Sequence, residues 1–326
     1  MLFSILIANY NNSRYLENSL NSVLSQSYPN WEIIIVDDCS TDDFDSVIEK
    51  FEKHPKIKIY KNKKNQGCGY TKRKCAEIAT GNILGFLDPD DSLDPEAVKV
   101  MINAHIEKPS CSIVHSTHYI CDEFLNVKRI AEYPRPLPQG VPYLFLNDGR
   151  VHSFASFKYS CYKKTEGISV LYKKAVDQDL YYKLEEEGEI FFINTPLYYY
   201  RIHNGGISTT GKEAEAMLWH YQVIEEACLR RIKKITLSQG ADSQNLLKLY
   251  KTKYYKTRIF NNFKKKQWLG FTYNLLLFPF VGGASNLLSY ALKFPKEGLH
   301  LIRKSFLETH KIKLIESDKN ESNSCS

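Results

Sequence analysis

The first 87 residues alternate short apolar segments, rich in β-branched residues, with segments whose apolar residues recur at helical spacing. The apolar segments predict strands at residues 3–8, 31–36, 57–60 and 83–87. The segments between them predict helices at residues 13–26, 41–53 and 69–79. Because strand and helix alternate at the spacing of βαβ units, we predict an α/β fold with a mostly parallel central sheet and helices on both faces.

Beyond residue 87 the pattern predicts fewer strands and more helices. A helix is expected at residues 95–107, a strand at 112–117, a helix at 177–187, and extended segments at 190–194 and 198–201. Residues 135–149 hold three prolines and two glycines and predict a loop. After residue 211 the chain changes to long, lysine-rich helical patterns. We therefore predict an α/β domain over residues 1–211, a basic helical region over 212–315 and a disordered tail over 316–326.

A stretch without charge occupies residues 268–292, between the lysine run 264–266 and Lys293. Its length would suit a membrane-spanning helix, but Pro279 and the glycines after it predict a break near that proline. Two interpretations stay open. The stretch forms short amphipathic helices that lie on anionic lipid, with the flanking lysines at the head groups. Alternatively, it forms a buried helical hairpin or a contact in a homodimer.

The composition is that of a folded protein. Hydrophobic residues make up 43% of the chain and charged residues 25%, which excludes low-complexity disorder as a description of the whole chain. The eight cysteines include no CxxC pair, and Met1 leads directly into a strand-like segment without a basic leader. We expect a reduced, cytoplasmic protein without a disulfide framework or a zinc site.

The net charge of +7 is unevenly distributed along the chain. Residues 1–211 contain 24 Lys and Arg against 27 Asp and Glu, whereas residues 212–326 contain 20 against 10. A basic C-terminal third raises the local concentration of anionic partners. Anionic lipid, nucleic acid and a phosphorylated substrate are the candidates.

Three polar clusters follow predicted strands, at residues 9–12, 37–40 and 88–91. In parallel sheets the carboxyl ends of the strands meet at one edge, where ligands bind. Asp88, Asp90 and Asp91 repel one another unless a cation offsets them, and Mg²⁺ or Mn²⁺ could join these carboxylates to a diphosphate. A turn followed by a helix N-terminus, which also favours Asp, is the alternative.

The second cluster contains a carboxylate that helix capping does not explain. Ser40 and the two acids after Thr41 can cap the next helix, but Asp38 lies before them. A carboxylate at this strand end can accept the imide N–H of a pyrimidine, and Tyr10 at the neighbouring strand end offers a ring for stacking. The glycines of residues 65–69 are typical of a turn as well as of a phosphate loop, and Arg73 taken alone is typical of a solvated charge.

The order and spacing of the whole set resembles the family 2 glycosyltransferases with the glycosyltransferase-A fold. The matching segments are SILIANYNN (4–12), SVLSQSYPNWEIIIVDDCSTD (22–42), NQGCGYTKRKCAEIATG (65–81), FLDPDD (86–91), AVDQDLYYKLEEEG (175–188) and YYYRIH (198–203). The resemblance covers residues 1–210 and leaves the remainder uncovered.

The resemblance implies roles for individual residues. It identifies Asp177 as the catalytic base, although Val176 occupies the place where the family's pattern has a preceding acid. It implies that Asp90, together with Asp88, contacts Mn²⁺ or Mg²⁺. The residues implied in nucleotide-sugar binding are Ala8, Tyr10, Asp38, Arg73, Asp88, Asp91 and His203. Among these, Tyr10 would stack on uracil and His203 would contact the diphosphate or the metal.

These roles predict an inverting, metal-dependent transfer of a sugar from a UDP-sugar to a carbohydrate or lipid-linked glycan acceptor, in envelope or surface glycan synthesis. The predicted location is the cytoplasm, with peripheral attachment to the inner face of the cytoplasmic membrane as an option. Nucleotidyl transfer is disfavoured, because residues 9–12 stand where a Gly-rich loop would follow the first strand. A non-enzymatic nucleotide-sugar-binding or membrane-adaptor protein is the alternative from another class, and nucleic acid is not expected as a partner.

Overall fold

The computed structural model describes residues 1–146, 148–152, 154–203, 213–238 and 243–282. Its N-terminal part is a parallel sheet built from βαβ units. The strands are β1 (Phe3–Asn9), β2 (Trp31–Asp37), β3 (Ile57–Lys61) and β4 (Ile83–Phe86), and they lie in the order β3-β2-β1-β4. The helices that connect them are α1 (Ser13–Leu24), α2 (Phe44–Ile48) and α3 (Cys68–Ile78). The predicted α/β fold is confirmed, although α2 is much shorter than the predicted 41–53.

The rest of the sheet is mixed. The further strands are β5 (Ser92–Leu93), β6 (Cys111–Cys121), β7 (Val127–Ile130), β8 (Ala155–Lys158) and β9 (Glu189–Arg201). The complete order is β3-β2-β1-β4-β8-β6-β9-β5, with β7 paired to β6. β8 runs antiparallel to both β4 and β6, whereas β6 and β9 are parallel. The sheet is therefore parallel as far as β4 and mixed beyond it.

The remaining helices flank the sheet or follow it in the chain. They are α4 (Ala97–Glu107), α5 (Tyr143–Leu146), α6 (Tyr159–Tyr162), α7 (Val176–Leu184), α8 (Glu213–Ser238), α9 (Ser243–Lys264) and α10 (Trp268–Gly282).

The main core lies between the sheet and the helices that cover one face. Alternate side chains of the central strands, such as Ile5 and Ile33, pack with Leu16 and Leu20 of α1. The opposite face carries α3, whose Cys75 is fully buried. Because both faces are covered, β2 is buried along its whole length, which explains its apolar run from Ile33 to Val36.

The chain divides into two compact units, Met1–Ala227 and Cys228–Ser326, and the division falls within α8. The predicted boundary near residue 211 and the predicted tail at 316–326 lie outside the described residues. Among the helices in the described ranges, none is both long enough and apolar enough to span a membrane.

In the second unit, α9 and α10 pack around Ile259, Phe271 and Phe278. The expected break near Pro279 is absent, since α10 continues through this residue to Gly282.

Candidate active site

The ends of β1 and β2 form a hydrogen-bonded platform at the carboxyl edge of the sheet. Asn9 and Asp37 are register partners, and the Asn9 side-chain amide donates to Asp37 Oδ1 at 2.8 Å. The Ser40 hydroxyl donates to the same oxygen at 2.6 Å. Asn11 and Cys39 both have positive φ, so the chain turns sharply after each strand. These turns leave the Tyr10 ring exposed at the edge of the sheet.

A cavity of about 1420 Å³ lies at this edge. It is lined by most of the residues that the sequence singles out: Ala8, Tyr10, Asp38, Asp88, Asp90, Asp91 and Asp177. Arg73 and His203 are not among its lining residues. The sheet thus brings together side chains that are up to 169 positions apart in the chain.

Asp38 is buried and holds the loop that leads into α3. Its Oδ1 accepts hydrogen bonds from the Asn62 side-chain amide and the Gln66 backbone N–H, both at 2.8 Å. Its Oδ2 accepts the Gly67 backbone N–H, also at 2.8 Å. Gly67 has a φ of 89°, which favours glycine at this position. Asp38 therefore shapes the cavity wall formed by this loop, in addition to lining the cavity itself.

Lys72 is a cation on the cavity wall that the sequence motifs did not single out. Its Nζ lies 2.8 Å from Asp177 Oδ1 and 3.5 Å from Asp88 Oδ1. The side chain is 8% exposed and lies over the Phe86 ring. Burial lowers the pKa of Lys72, but Asp177 and Asp88 raise it more, so that the pKa is well above its ordinary value. The ammonium is thus held between the two carboxylates.

Arg73 points away from the cavity. Its Nε is paired with Glu77 Oε1 at 2.8 Å, and its Nη1 donates to the carbonyl oxygens of Glu166 and Ile168. In this position it fastens the chain around residue 167 to α3. The placement gives no support to the expected contact of Arg73 with a base or a diphosphate. The helical phase of α3 contained the signal, since Lys72 shares a face with the buried Cys75 and Ala76.

The three acids of the 88–91 cluster have different environments. Asp91 is buried, where its Oδ2 accepts the Tyr198 hydroxyl and its Oδ1 the Arg201 backbone N–H, each at 2.7 Å. Burial and the neighbouring Asp90 raise its pKa well above the usual range. Asp88 faces the cavity; burial raises its pKa, and Lys72 partly offsets this increase. Asp91 therefore anchors the cluster to β9, while Asp88 remains available to a ligand.

His203 lies behind Asp90 rather than on the cavity wall. Its Nε2 is 2.9 Å from Asp90 Oδ2, and its ring packs on Tyr15 with centroids 4.8 Å apart. The Arg201 guanidinium lies over the same Tyr15 ring and donates from Nε to the Asp90 backbone oxygen. The orientation of Asp90 is thus fixed from two sides.

The donor set of this cluster fits a hard divalent cation that shares its ligands with a substrate. Among the side chains that the structure describes, no group of three or more His, Cys, Asp and Glu residues is arranged to hold a metal ion by itself. Asp88 and Asp90 nevertheless supply two carboxylates on the cavity wall. Mg²⁺ and Mn²⁺ commonly take one or two protein carboxylates and complete their coordination with substrate phosphates and water.

Asp177 lies in the first turn of α7, which follows Ala175 in the left-handed conformation. Its side chain is 44% exposed and reaches the cavity, where Lys72 is its partner. Asp179, two residues later, is buried and paired with Lys183 at 2.6 Å. Val176, in the place of the family's preceding acid, is buried in the core. The helix thus presents one acid to the cavity and one to the interior.

Comparison with known proteins relates the chain to glycosyltransferases. Residues 4–165 match the family model described as glycosyl transferase family 2. The chain is 30% identical over 241 residues to a chondroitin synthase of Escherichia coli. That alignment covers 73% of this chain but 34% of the relative, so the chain spans about a third of the length of the synthase.

Solved structures confirm the glycosyltransferase-A type of fold. A structure of TarS residues 1–349 from S. aureus in complex with UDP-GlcNAc superimposes with a TM-score of 0.55 at 18% identity, covering 88% of this chain and 92% of that one. The mannosyltransferase PcManGT from Pyrobaculum calidifontis, in complex with GDP-Man and Mn²⁺, gives a TM-score of 0.54 at 16% identity over 95% of this chain and 86% of that one.

Proposed function

The chain belongs to glycosyl transferase family 2, and from this premise we propose that it transfers a sugar from a UDP-sugar to a carbohydrate acceptor in the synthesis of a cell-surface polysaccharide. The observation that carries the proposal is the placement of Asp177 and Asp88 on either side of the Lys72 ammonium, inside one cavity at the strand ends. A general base and an anchor for a diphosphate are the two groups that such a transfer needs.

A uridine base fits the platform formed by the ends of β1 and β2. The Tyr10 ring is exposed at the cavity, where it can stack on a base, and Ala8 lies beside it with a side chain too small to obstruct one. Asp38 lines the same wall, and its carboxylate can accept the imide N–H of uracil beside its contacts with the loop. The proteins of similar fold were solved with UDP-GlcNAc and with GDP-Man, so the choice of uridine rests on Tyr10 and Asp38.

Asp177 is the proposed base. A sugar hydroxyl attacks poorly while it keeps its proton, so a carboxylate within hydrogen-bond reach must accept that proton as the new bond forms. The acceptor oxygen bonds to the anomeric carbon from the face opposite the diphosphate, the bond to the diphosphate oxygen breaks, and its electron pair leaves with UDP. The configuration at the anomeric carbon is thereby inverted. Lys72 places a positive charge beside the departing diphosphate.

Asp90 and Asp88 would hold Mn²⁺ or Mg²⁺, with His203 and Arg201 keeping Asp90 in orientation. When bound, the ion would neutralise charge on the diphosphate. Asp91, buried and bonded to β9, would keep both carboxylates at the cavity.

We also propose that the acceptor is an envelope glycan or its lipid-linked precursor. The proposed location is the cytoplasm, with attachment to the inner face of the cytoplasmic membrane.

The experiment that tests the proposal is a release assay for UDP, run with a panel of UDP-sugars, with GDP-mannose as a control, and with glycosaminoglycan and teichoic-type oligosaccharides as acceptors. We expect acceptor-dependent UDP release that EDTA abolishes. Tight binding of a UDP-sugar without release in any combination would favour the non-enzymatic binding protein. Release from GDP-mannose alone would contradict the assignment of Tyr10 and Asp38.

A further inference from the structure

Helix α10 carries no charged residue, and one of its sides exposes a stripe of large, mostly apolar side chains. Leu269, Tyr273 and Leu276 are 89%, 63% and 64% exposed, and their spacing of four and three residues places them on one side of the helix. We call these three residues the α10 face. Phe271 and Phe278 on the other side are buried against α9. Large apolar side chains therefore lie on both sides of the helix, yet only one side is covered within the described part of its unit.

The surroundings of this face in the sequence are strongly basic. Residues 228–282 contain twelve Lys and Arg and a single acid, Asp242. Lys264, Lys265 and Lys266 immediately precede α10 and are all exposed. Such a charge distribution costs self-repulsion unless an anionic surface neutralises it.

Aromatic side chains border the stripe. Trp268, the first residue of α10, is partly exposed and packs edge-on against Phe263 and Phe271. Tyr273 belongs to the α10 face itself. Trp and Tyr are enriched at the boundary between head groups and acyl chains, because an apolar ring with one polar group suits that depth.

We propose that the α10 face and the lysine run 264–266 bind the surface of a membrane that contains anionic lipid. Leu269 and Leu276 enter the boundary between head groups and acyl chains, Tyr273 and Trp268 lie at head-group depth, and the lysines contact the lipid phosphates. A helix with one apolar exposed side and flanking cations lies in the plane of the interface rather than across it. The proposal goes beyond the transfer reaction and does not depend on it.

The charge pattern favours lipid over a second copy of the chain. Two α10 faces could cover each other, but the association would bring together two basic segments with twelve cations each. Vesicles of phosphatidylglycerol offer apolar depth and negative charge together. The same two features separate this face from an ordinary basic surface, which would bind any polyanion.

The experiment measures cosedimentation of the full chain with equimolar phosphatidylglycerol and phosphatidylcholine vesicles, and with phosphatidylcholine alone. We expect binding to the anionic vesicles that weakens as salt is raised, and little binding to the neutral ones. Replacing Lys264, Lys265 and Lys266 by Gln should reduce the partition coefficient by about a hundredfold. Leu269→Gln together with Leu276→Gln should reduce it by about tenfold or more.

Matched controls keep the test specific. Leu246→Gln with Leu249→Gln changes two partly exposed leucines of α9 outside the α10 face, and should leave vesicle binding unchanged. Replacement of Lys53, Lys99 and Lys128, three exposed lysines of the first unit, by Gln should also have little effect. Circular dichroism verifies folding, which the exposed positions should not disturb.

Several outcomes would overturn the proposal. Equal binding to anionic and neutral vesicles is one, and retention of binding by both the lysine and the leucine variants is another. The third is an absence of vesicle binding together with a dimer, seen in analytical ultracentrifugation, that the leucine substitutions dissociate. Acceptor-dependent UDP release with a soluble acceptor should be the same for all variants. The membrane proposal and the transferase proposal can therefore fail independently of each other.

Discussion

The two acids of α7 differ completely in their surroundings, and this difference makes a sharp test of the base. Asp177 is half exposed in the cavity, whereas Asp179 is buried against Lys183. Asp177→Asn keeps the side-chain volume but cannot accept the proton of the acceptor, so kcat should fall by about 10² to 10⁴. The KM for the donor should barely change, because the proposed role of Asp177 is confined to the transition state.

Asp179→Asn is the control at the neighbouring acid. It leaves the buried Lys183 without its charged partner and with the Gly167 carbonyl oxygen as an acceptor, which should destabilise the fold by about 3–5 kcal/mol. The melting temperature should fall while the folded fraction keeps its kcat. If Asp177→Asn transfers sugar at the parental rate and folded Asp179→Asn does not, the base has been assigned to the wrong acid.

Adjacent cations on α3 allow a second test. Lys72→Met removes the charge between Asp88 and Asp177, and we expect kcat/KM to fall by about 10² to 10³. Arg73→Met removes an exposed pair with Glu77, and should change kcat/KM by less than about threefold. Steady-state kinetics of both variants are the measurement. Equal, small effects of the two variants on kcat/KM would show that Lys72 is dispensable for transfer.

Asp90 tests the metal assignment. Asp90→Asn removes a ligand charge without changing volume, so the enhancement of UDP affinity by Mn²⁺ should fall by at least about tenfold. Affinity for UDP in EDTA should stay near the parental value, because Tyr10 and Asp38 are unchanged. Titration calorimetry with and without Mn²⁺ separates the two quantities. Parental Mn²⁺-dependent binding by the variant would contradict a role for Asp90 as a ligand.

A place on the cavity wall could be predicted from the sequence for residues that directly follow a strand. It was not predicted for residues of α3, where it depends on which side of the helix faces the cavity. Asp38 and Asp88, which follow β2 and β4, line the cavity. Asp177 also lines it, but it lies in α7 and was singled out by the family resemblance. The family resemblance implied a contact of Arg73 with the nucleotide sugar, yet the phase of α3 turns Arg73 outward and turns Lys72 inward. The hydrogen bonds of Asp38 to the 66–67 backbone are also beyond sequence reasoning, since they depend on the positive φ of Gly67.

At the scale of elements, β1, β2 and β4 were predictable because they are largely buried and contain continuous apolar runs. β8 was not, since it has four residues and pairs antiparallel between two longer strands. β9 was predicted as two pieces because Pro196 interrupts the pattern. In the structure its pairing with β6 shifts register at this proline, and the bulge accommodates it.

Strand β6 buries His115, and this burial should lower the stability of the fold at low pH. Neither ring nitrogen of His115 has a hydrogen-bond partner among the residues described, and the ring packs on Phe192. Burial, and secondly the charge of Arg150, lower the pKa of His115 to about 3. The unfolded chain, with a histidine pKa of about 6.5, takes up a proton that the folded chain refuses. Stability should therefore be full above pH 6.5 and decrease as the pH falls from there towards 3.

His115→Phe should remove this dependence on pH at one site. The replacement keeps an aromatic ring and eliminates two buried, unsatisfied nitrogens, so we expect the free energy of unfolding to rise by about 1–3 kcal/mol at neutral pH. The gain should be larger at pH 5. Urea unfolding at both values of pH is the measurement, and an equal or smaller gain at pH 5 would contradict the assignment. His105, whose pKa is also lowered to about 3 by burial, should keep part of the slope in this variant.

For the molecule as a whole, chemistry and charge are divided along the chain. Within the described ranges, every residue that lines the cavity precedes residue 222, and the first unit contains 31 of the 37 acids. The twelve cations of residues 228–282 follow it. This division was readable from charge counts, whereas the exposure of the α10 face required coordinates, because an uncharged helix can equally be buried.

A chain that ends after Ser238 separates the two roles. It keeps α8 complete and retains all the residues that line the cavity, so its affinity for UDP in the presence of Mn²⁺ should stay within about twofold of the parent. It loses the α10 face and eight of the twelve cations, so binding to anionic vesicles should fall by more than about 10³-fold. A chain that ends after Gly282 keeps α9 and α10 and should bind vesicles like the parent. Persistent vesicle binding by the shorter chain would place the lipid contact within the first 238 residues, and loss of UDP binding by a folded shorter chain would show that residues after Ser238 are needed for donor binding.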